Sequence, residues 1–179
     1  FVAPPASAYS KFLKNLKTYC GEELKEVFEN LVKYMYDNLQ DFGEYLAIDG
    51  KAVQSYATNY SKETKEDGRR DTDANWGTKK YTTSVNSKGE VVTNKVTWFG
   101  YTVHLVVDAK YELPVTFKVT PASNSEQKKK KEILKVMHEE QLERCKYFLA
   151  DKGYDDTKII EYLKEKDIAA IIDIRNMWK

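Results

Sequence analysis

Two apolar runs in this chain each stop on an aspartate with a glycine close behind. Residues 44–51 read EYLAIDGK, in which Tyr45, Leu46, Ala47 and Ile48 lead into Asp49. Residues 146–156 read KYFLADKGYDD, in which the run ends on Asp151. Either acid alone is an ordinary turn residue. Two of them, 102 positions apart, predict two strands that each deliver one carboxylate. Side by side they repel, because unit charges about 4 Å apart cost about 4 kcal/mol at an effective dielectric near 20. A shared proton removes that cost, and so does a divalent cation. Hard oxygen ligands select Mg²⁺ or Mn²⁺. Mg²⁺ keeps water positions that phosphodiester oxygens can fill, and a pair of ions clamps the attacking and leaving oxygens of an in-line displacement. Phosphoryl transfer is the reaction that such a pair of acids favours.

An aspartyl-phosphatase of the haloacid-dehalogenase type also places an Asp after a strand. It needs a second Asp two positions further on, where this chain has Lys51. His104, in TVHLVV, is expected to be a hydrogen-bonded residue on the less buried face of a strand. Asp108 ends that strand and starts the DAKYE turn, with a place near the metals as the alternative.

The elements that must position the two acids can be read from hydrophobic period. Leu24, Val27, Phe28, Leu31, Val32, Met35 and Leu39 predict a helix over 22–39, and Tyr9, Phe12, Leu13 and Leu16 a shorter one before it, broken at TYCGEE. A strand over about 44–49 follows. Residues 55–78 are polar and without period, which predicts a long loop. Hairpins come next, built from KKYTTSV, EVVTNKVTWFGYTVHLVVD and LPVTFKVT, in which Val103, Leu105 and Val107 alternate with Thr102, His104 and Val106. A helix from Asn124 or Ser125 to about Arg144, the strand YFLA, a short helix capped by Asp155 or Asp156 with Ile159, Ile160 and Leu163 inward, and the strand IAAIIDI complete the order. Hairpins followed by βαβ units make a mixed α/β sheet. A right-handed crossover lays YFLA parallel to the first strand and brings Asp49 to Asp151.

With 179 residues the chain has room for one domain with a core and a small appendage. A net charge of +1 excludes a chain-wide electrostatic footprint, so an anionic partner has to meet local basic clusters. Arg69 and Arg70, Lys79 and Lys80, and the run Lys128, Lys129, Lys130 and Lys131 are the candidates, and each is by default a solvated surface. Arg69, Arg70 and Trp76 suit phosphate contact and base stacking where exposed, with a packed Trp76 that anchors the loop as the equal alternative. Cys20 and Cys145 stand alone, which argues against a zinc site or a disulfide framework and fits a reducing compartment. No apolar run approaches the roughly 18 residues of a membrane span, and FVAPPASAYS is not a signal peptide. The chain starts without Met and stops on NMWK, and it is expected to be a piece of something longer.

The ordered blocks LAIDGKAVQSYA, DANWGTKKY, KVTWFGYTVHLVVDAKYELPVTFKVTPASNSE, LADKGYDDTKIIEYL and IAAIIDIRNMWK resemble successive blocks of bacterial insertion-sequence transposases of the DDE type. SAYSKFLKNL resembles the segment before their catalytic domain. The likeness covers almost the whole chain. It implies a ribonuclease H-like mixed sheet with flanking helices over 44–179, preceded by a helical segment over 1–43. It also implies two Mg²⁺ (or Mn²⁺) ions held by Asp, Asp and Glu, with water or a DNA 3′-hydroxyl attacking a phosphodiester. Asp49 matches the first acid and Asp151 the second. The third, carried by a later helix, has no match before Lys179, so the resemblance implies a truncated and by itself inactive core. Asp173, in IIDIRN, belongs to a different block and does not match the missing acid. DNA, as the element's ends and its target, is the implied partner, and a homodimer is allowed in the full-length synaptic complex. The implied location is the bacterial cytoplasm, at the nucleoid when acting. The alternative is a DNA-binding or assembly module that keeps the fold without the chemistry.

Overall fold

The computed structural model describes residues 3–57, 71–85, 91–123 and 137–173, with backbone alone for 80–85 and 91–93. The chain divides into two compact units, Phe1–Phe42 and Gly43–Lys179. The first holds α1 (Ala6–Tyr19) and α2 (Gly21–Asn38). Cys20 separates them at φ −135° and ψ 26°, outside the helical region. Glu22 and Glu23 in the first turn of α2 complement the helix dipole. The stripes that the periodicity predicts do form, yet Tyr9, Phe12, Leu13, Leu24, Val27 and Leu31 remain exposed and Val32 is buried. Tyr36 meets Phe42 edge-on, with ring centroids 5.0 Å apart.

The second unit is built on six strands: β1 (Tyr45–Gln54), β2 (Asn75–Val85), β3 (Val91–Asp108), β4 (Leu113–Pro121), β5 (Tyr147–Ala150) and β6 (Ala169–Ile172). They lie in the order β2-β3-β1-β5-β6, with β4 also on β3. Pairing is antiparallel among β1, β2, β3 and β4, and parallel from β1 to β5 to β6. The described helices of this unit are α3 (Glu139–Arg144) and α4 (Thr157–Glu165). The ribonuclease H-like mixed sheet flanked by helices is therefore the fold. No described helix is long and apolar enough to cross a membrane.

The core lies on one face of the sheet. Leu46, Ile48, Val106, Val115 and Phe148 are buried there, and Ile159 and Leu163 of α4 are buried with them. Fully burying a side chain such as Phe148 or Leu163 contributes about 1.5–3 kcal/mol. Asp156 caps α4 by accepting from the Lys158 N–H at 2.8 Å. Ile160, expected inward, is 39% exposed.

Register explains a second departure. Leu46 pairs with Asp108, Ile48 with Val106 and Gly50 with His104. Side chains on one strand alternate between faces, so burying Leu46 and Ile48 forces the even positions of β3 inward. His104 is thus 5% exposed, on the buried face rather than the less buried one, while Leu105, Phe117 and Val119 stand outward.

The long polar loop is shorter than its composition predicts. β1 continues to Gln54, and β2 begins at Asn75, so Trp76 sits on a strand. Ser55 Oγ donates to Asp71 Oδ2 at 2.7 Å, joining the points where the chain leaves and re-enters the sheet. Tyr101 Oη donates to Asp73 Oδ1 at 2.7 Å. Burial first, and then the hydrogen bond and charge of Asp73, push the Tyr101 phenol above its usual pKa.

Candidate functional site

β1 and β5 run side by side in parallel, with Ile48 opposite Ala150 as the last registered pair. The next residue on each chain is Asp49 and Asp151. Both acids therefore stand at one level on neighbouring chains, Asp49 within β1 opposite Leu105 of β3 and Asp151 just past the end of β5, where adjacent strands lie about 4.8 Å apart in the hydrogen-bonding direction. Both are exposed. Local backbone holds each of them: Asp49 Oδ1 accepts from the Gly50 N–H at 2.7 Å, and Asp151 Oδ1 accepts from the Gly153 N–H at 2.9 Å. The second contact caps the single 3₁₀ turn Lys152–Tyr154. Among the described residues neither Oδ2 accepts a hydrogen bond, and no Lys or Arg pairs with either acid.

The third parallel strand ends at the same level. Ala150 pairs with Ile172, and the Asp173 N–H donates to the Ala150 carbonyl at 3.3 Å. An open depression over these strand ends is lined by Ile48, Ala150, Asp151, Ile172 and Asp173, among others. Among the described residues no group of three His, Cys, Asp or Glu side chains could hold an ion.

The donor set fits a hard divalent cation. Two exposed carboxylates, each with an oxygen that accepts no hydrogen bond among the described residues, can offer one or two ligands while water fills the remaining positions, which is the manner in which Mg²⁺ is usually bound. The alternative place for Asp108, near such an ion, does not hold. Asp108 pairs with Leu46, three residues before Asp49, and its buried carboxylate accepts from the N–H groups of Gly43 (2.6 Å), Lys110 (2.9 Å) and Tyr111 (2.8 Å). It fastens the β3–β4 turn at the far end of β1.

Trp76 is 53% exposed on β2, with its ring 5.5 Å from that of Phe99. Arg69, Arg70, Asn124, Ser125 and the run Lys128, Lys129, Lys130 and Lys131 lie outside the described residues, as does the first part of the helix expected before Arg144; its described part is not continuous, because His138 is extended at φ −67° and ψ 150° and caps a separate helix that starts at Glu139.

One contact was not foreseen from sequence. His104 Nδ1 and Tyr154 Oη are hydrogen-bonded at 3.1 Å, both residues buried, directly beneath Gly50. The signal was present in the two motifs themselves, in the glycine that follows Asp49 and the tyrosine that closes DKGY.

The family model described as Transposase DDE domain matches residues 42–178. No curated protein and no solved structure matches the chain.

Proposed function

This chain belongs to the family of transposase DDE domains, and on that premise we propose that it carries the catalytic face of a DNA transposase that cuts and rejoins the strands of an insertion sequence. The observation behind this reading is the level at which Asp49 and Asp151 stand, one residue beyond Ile48 and Ala150 on adjacent parallel strands. Asp49 and Asp151 are the residues that hold Mg²⁺ or Mn²⁺, two ions in the complete site. Such ions, when bound, neutralise phosphate charge and activate an attacking oxygen. The chain's own part is placement. The Gly50 and Gly153 N–H groups fix one oxygen of each carboxylate, and both acids are exposed, so that a phosphodiester can approach. Trp76 offers a ring for stacking a base, while Arg69, Arg70 and Lys128, Lys129, Lys130 and Lys131 contact backbone phosphates. The helical segment over 1–43 leads into the catalytic domain over 44–179. A homodimer in the synaptic complex and action at the bacterial nucleoid, in the cytoplasm, complete the proposal.

Asp49 and Asp151 supply two of the three acids that a DDE site uses. With two carboxylates the chain by itself is expected to hold metal at millimolar strength and to leave supercoiled DNA uncut. A longer protein that also carries the downstream Glu should nick the same DNA with Mg²⁺ or Mn²⁺, and Asp49→Asn or Asp151→Asn in that protein should abolish nicking. Cleavage that survives both substitutions overturns the assignment.

A further inference from the structure

The two acids sit on separate segments, and a two-carboxylate site works only if their separation is held. Besides the backbone ladder between β1 and β5, one buried side-chain contact ties the turn after Asp151 to β3, the strand that pairs with β1 beside Asp49. Tyr154 closes the 3₁₀ turn that Asp151 caps, and its N–H donates to the Asp151 carbonyl at 2.9 Å. Its hydroxyl reaches His104 Nδ1 at 3.1 Å, with the two rings edge-on at 6.4 Å. His104 in turn pairs in register with Gly50, the residue whose N–H holds Asp49, and its Nε2 lies 3.5 Å from Thr120 Oγ1 on β4. Gly50 leaves the room for this link. A Cβ at that position would fall 3.3 Å from His104 Nδ1 and 3.4 Å from Tyr154 Oη, tighter than such contacts normally are.

We propose that His104 and Tyr154 are positioning residues, which lock the turn that Asp151 caps to β3, and through the pairing of His104 with Gly50 to the strand bearing Asp49, and so set the distance between the two carboxylates. This rests on the assignment of Asp49 and Asp151 as the metal-holding pair. It gives a physical reason for the glycine after the first acid and for the tyrosine three residues after the second. Neither His104 nor Tyr154 touches the ion or the DNA. Their contribution is rigidity, since a buried hydrogen bond between two side chains fixes a geometry that exposed strand ends alone would leave loose.

The test follows Mn²⁺ binding to the ¹⁵N-labelled chain by paramagnetic broadening of the Gly50 and Gly153 amide signals, which reads weak binding and reports each acid separately. In the wild type both signals should broaden over one Mn²⁺ range. Tyr154→Phe, which removes a single hydroxyl, should weaken binding about fivefold, the order expected for one buried hydrogen bond. It should also split the two responses, Gly153 lagging Gly50. His104→Asn, whose amide can stand in for Nδ1, should restore joint broadening, whereas His104→Gln, which stands in for Nε2, should not. A lowered melting temperature in Tyr154→Phe with unchanged, joint Mn²⁺ broadening would make the pair merely structural and overturn the proposal. If Asp151→Asn loses broadening while Tyr154→Phe keeps it, the metal site stands and the positioning role falls. If the wild type shows no broadening at either glycine, both fall together.

Discussion

Gly153 lies so close to Asp151 that a Cβ added there would fall 2.7 Å from Oδ1, the oxygen its own N–H holds at 2.9 Å. No side chain fits between the two. Gly153→Ala should therefore push the Asp151 carboxylate out of its cap and cost about 1 kcal/mol for the broken hydrogen bond. Mn²⁺ affinity should drop while the rest of the sheet stays intact. Thermal unfolding and amide broadening at Gly50 check both halves of the expectation.

Replacing either acid should separate metal binding from stability. Asp49→Asn and Asp151→Asn each remove one of two like charges on neighbouring strand ends, and Asn caps a turn about as well as Asp. In the absence of metal the melting temperature should stay within about 2 °C of the wild type or rise. The gain in melting temperature that Mn²⁺ gives the wild type by binding the folded state should disappear. A large loss of stability without metal would show that the carboxylates are structural.

Affinity for DNA should be weak and steep in salt, because a net charge of +1 leaves the work to local clusters. Reversing Lys128, Lys129, Lys130 and Lys131 to Glu should lower affinity and flatten the salt slope by about 0.9 for each phosphate no longer neutralised. Trp76→Ala should cost about 1–3 kcal/mol on single-stranded ends if a base stacks there. Fluorescence anisotropy at several salt concentrations reads both. An unchanged slope after charge reversal moves the footprint to Arg69 and Arg70.

The two thiols should differ sharply. Cys145 is buried and its Sγ donates to the Tyr147 carbonyl at 3.5 Å. Burial pushes the thiol from its ordinary 9.0 up to about 11. At pH 8 that leaves about a hundredfold less thiolate than an ordinary cysteine carries. Alkylation of the native protein should therefore modify Cys20 first and Cys145 only on unfolding. The neutral thiol is favoured by the fold, so its contribution to stability is complete below about pH 9 and is lost as pH rises from there to about 11. Urea midpoints at pH 8, 9 and 10 check the sign.

Asp49 and Asp151 were legible as neighbours because each follows an apolar run of strand length and the parallel pairing followed from element order, although β1 runs on past Asp49 to Gln54 where a strand end was expected. The faces of the hairpins were less so. On β3 both parities hold apolar residues, so alternation alone does not say which set goes in, and the answer comes from β1, whose Leu46 and Ile48 fix the register; on β4 the pattern is clean, yet Phe117 and Val119 face outward because the strand follows β3 across an irregularity at Val106 and Val107. That is how His104 and Asp108 enter the interior. Trp76 was hidden by its neighbours, since DANWGT reads as turn chemistry although the pairing of Asn75 with Gly100 already begins β2. The link from Tyr154 to His104 spans 50 positions. No local pattern encodes such a distance.

The Ser55–Asp71 hydrogen bond has a consequence for how this protein tolerates change. It joins the point where the chain leaves β1 to a point four residues before β2 begins. The cost of lengthening a closed excursion grows only with the logarithm of its length, about 0.6 kcal/mol per doubling. This is a natural graft point. Segments of different length and charge are expected to be exchangeable there without disturbing Asp49, six residues upstream.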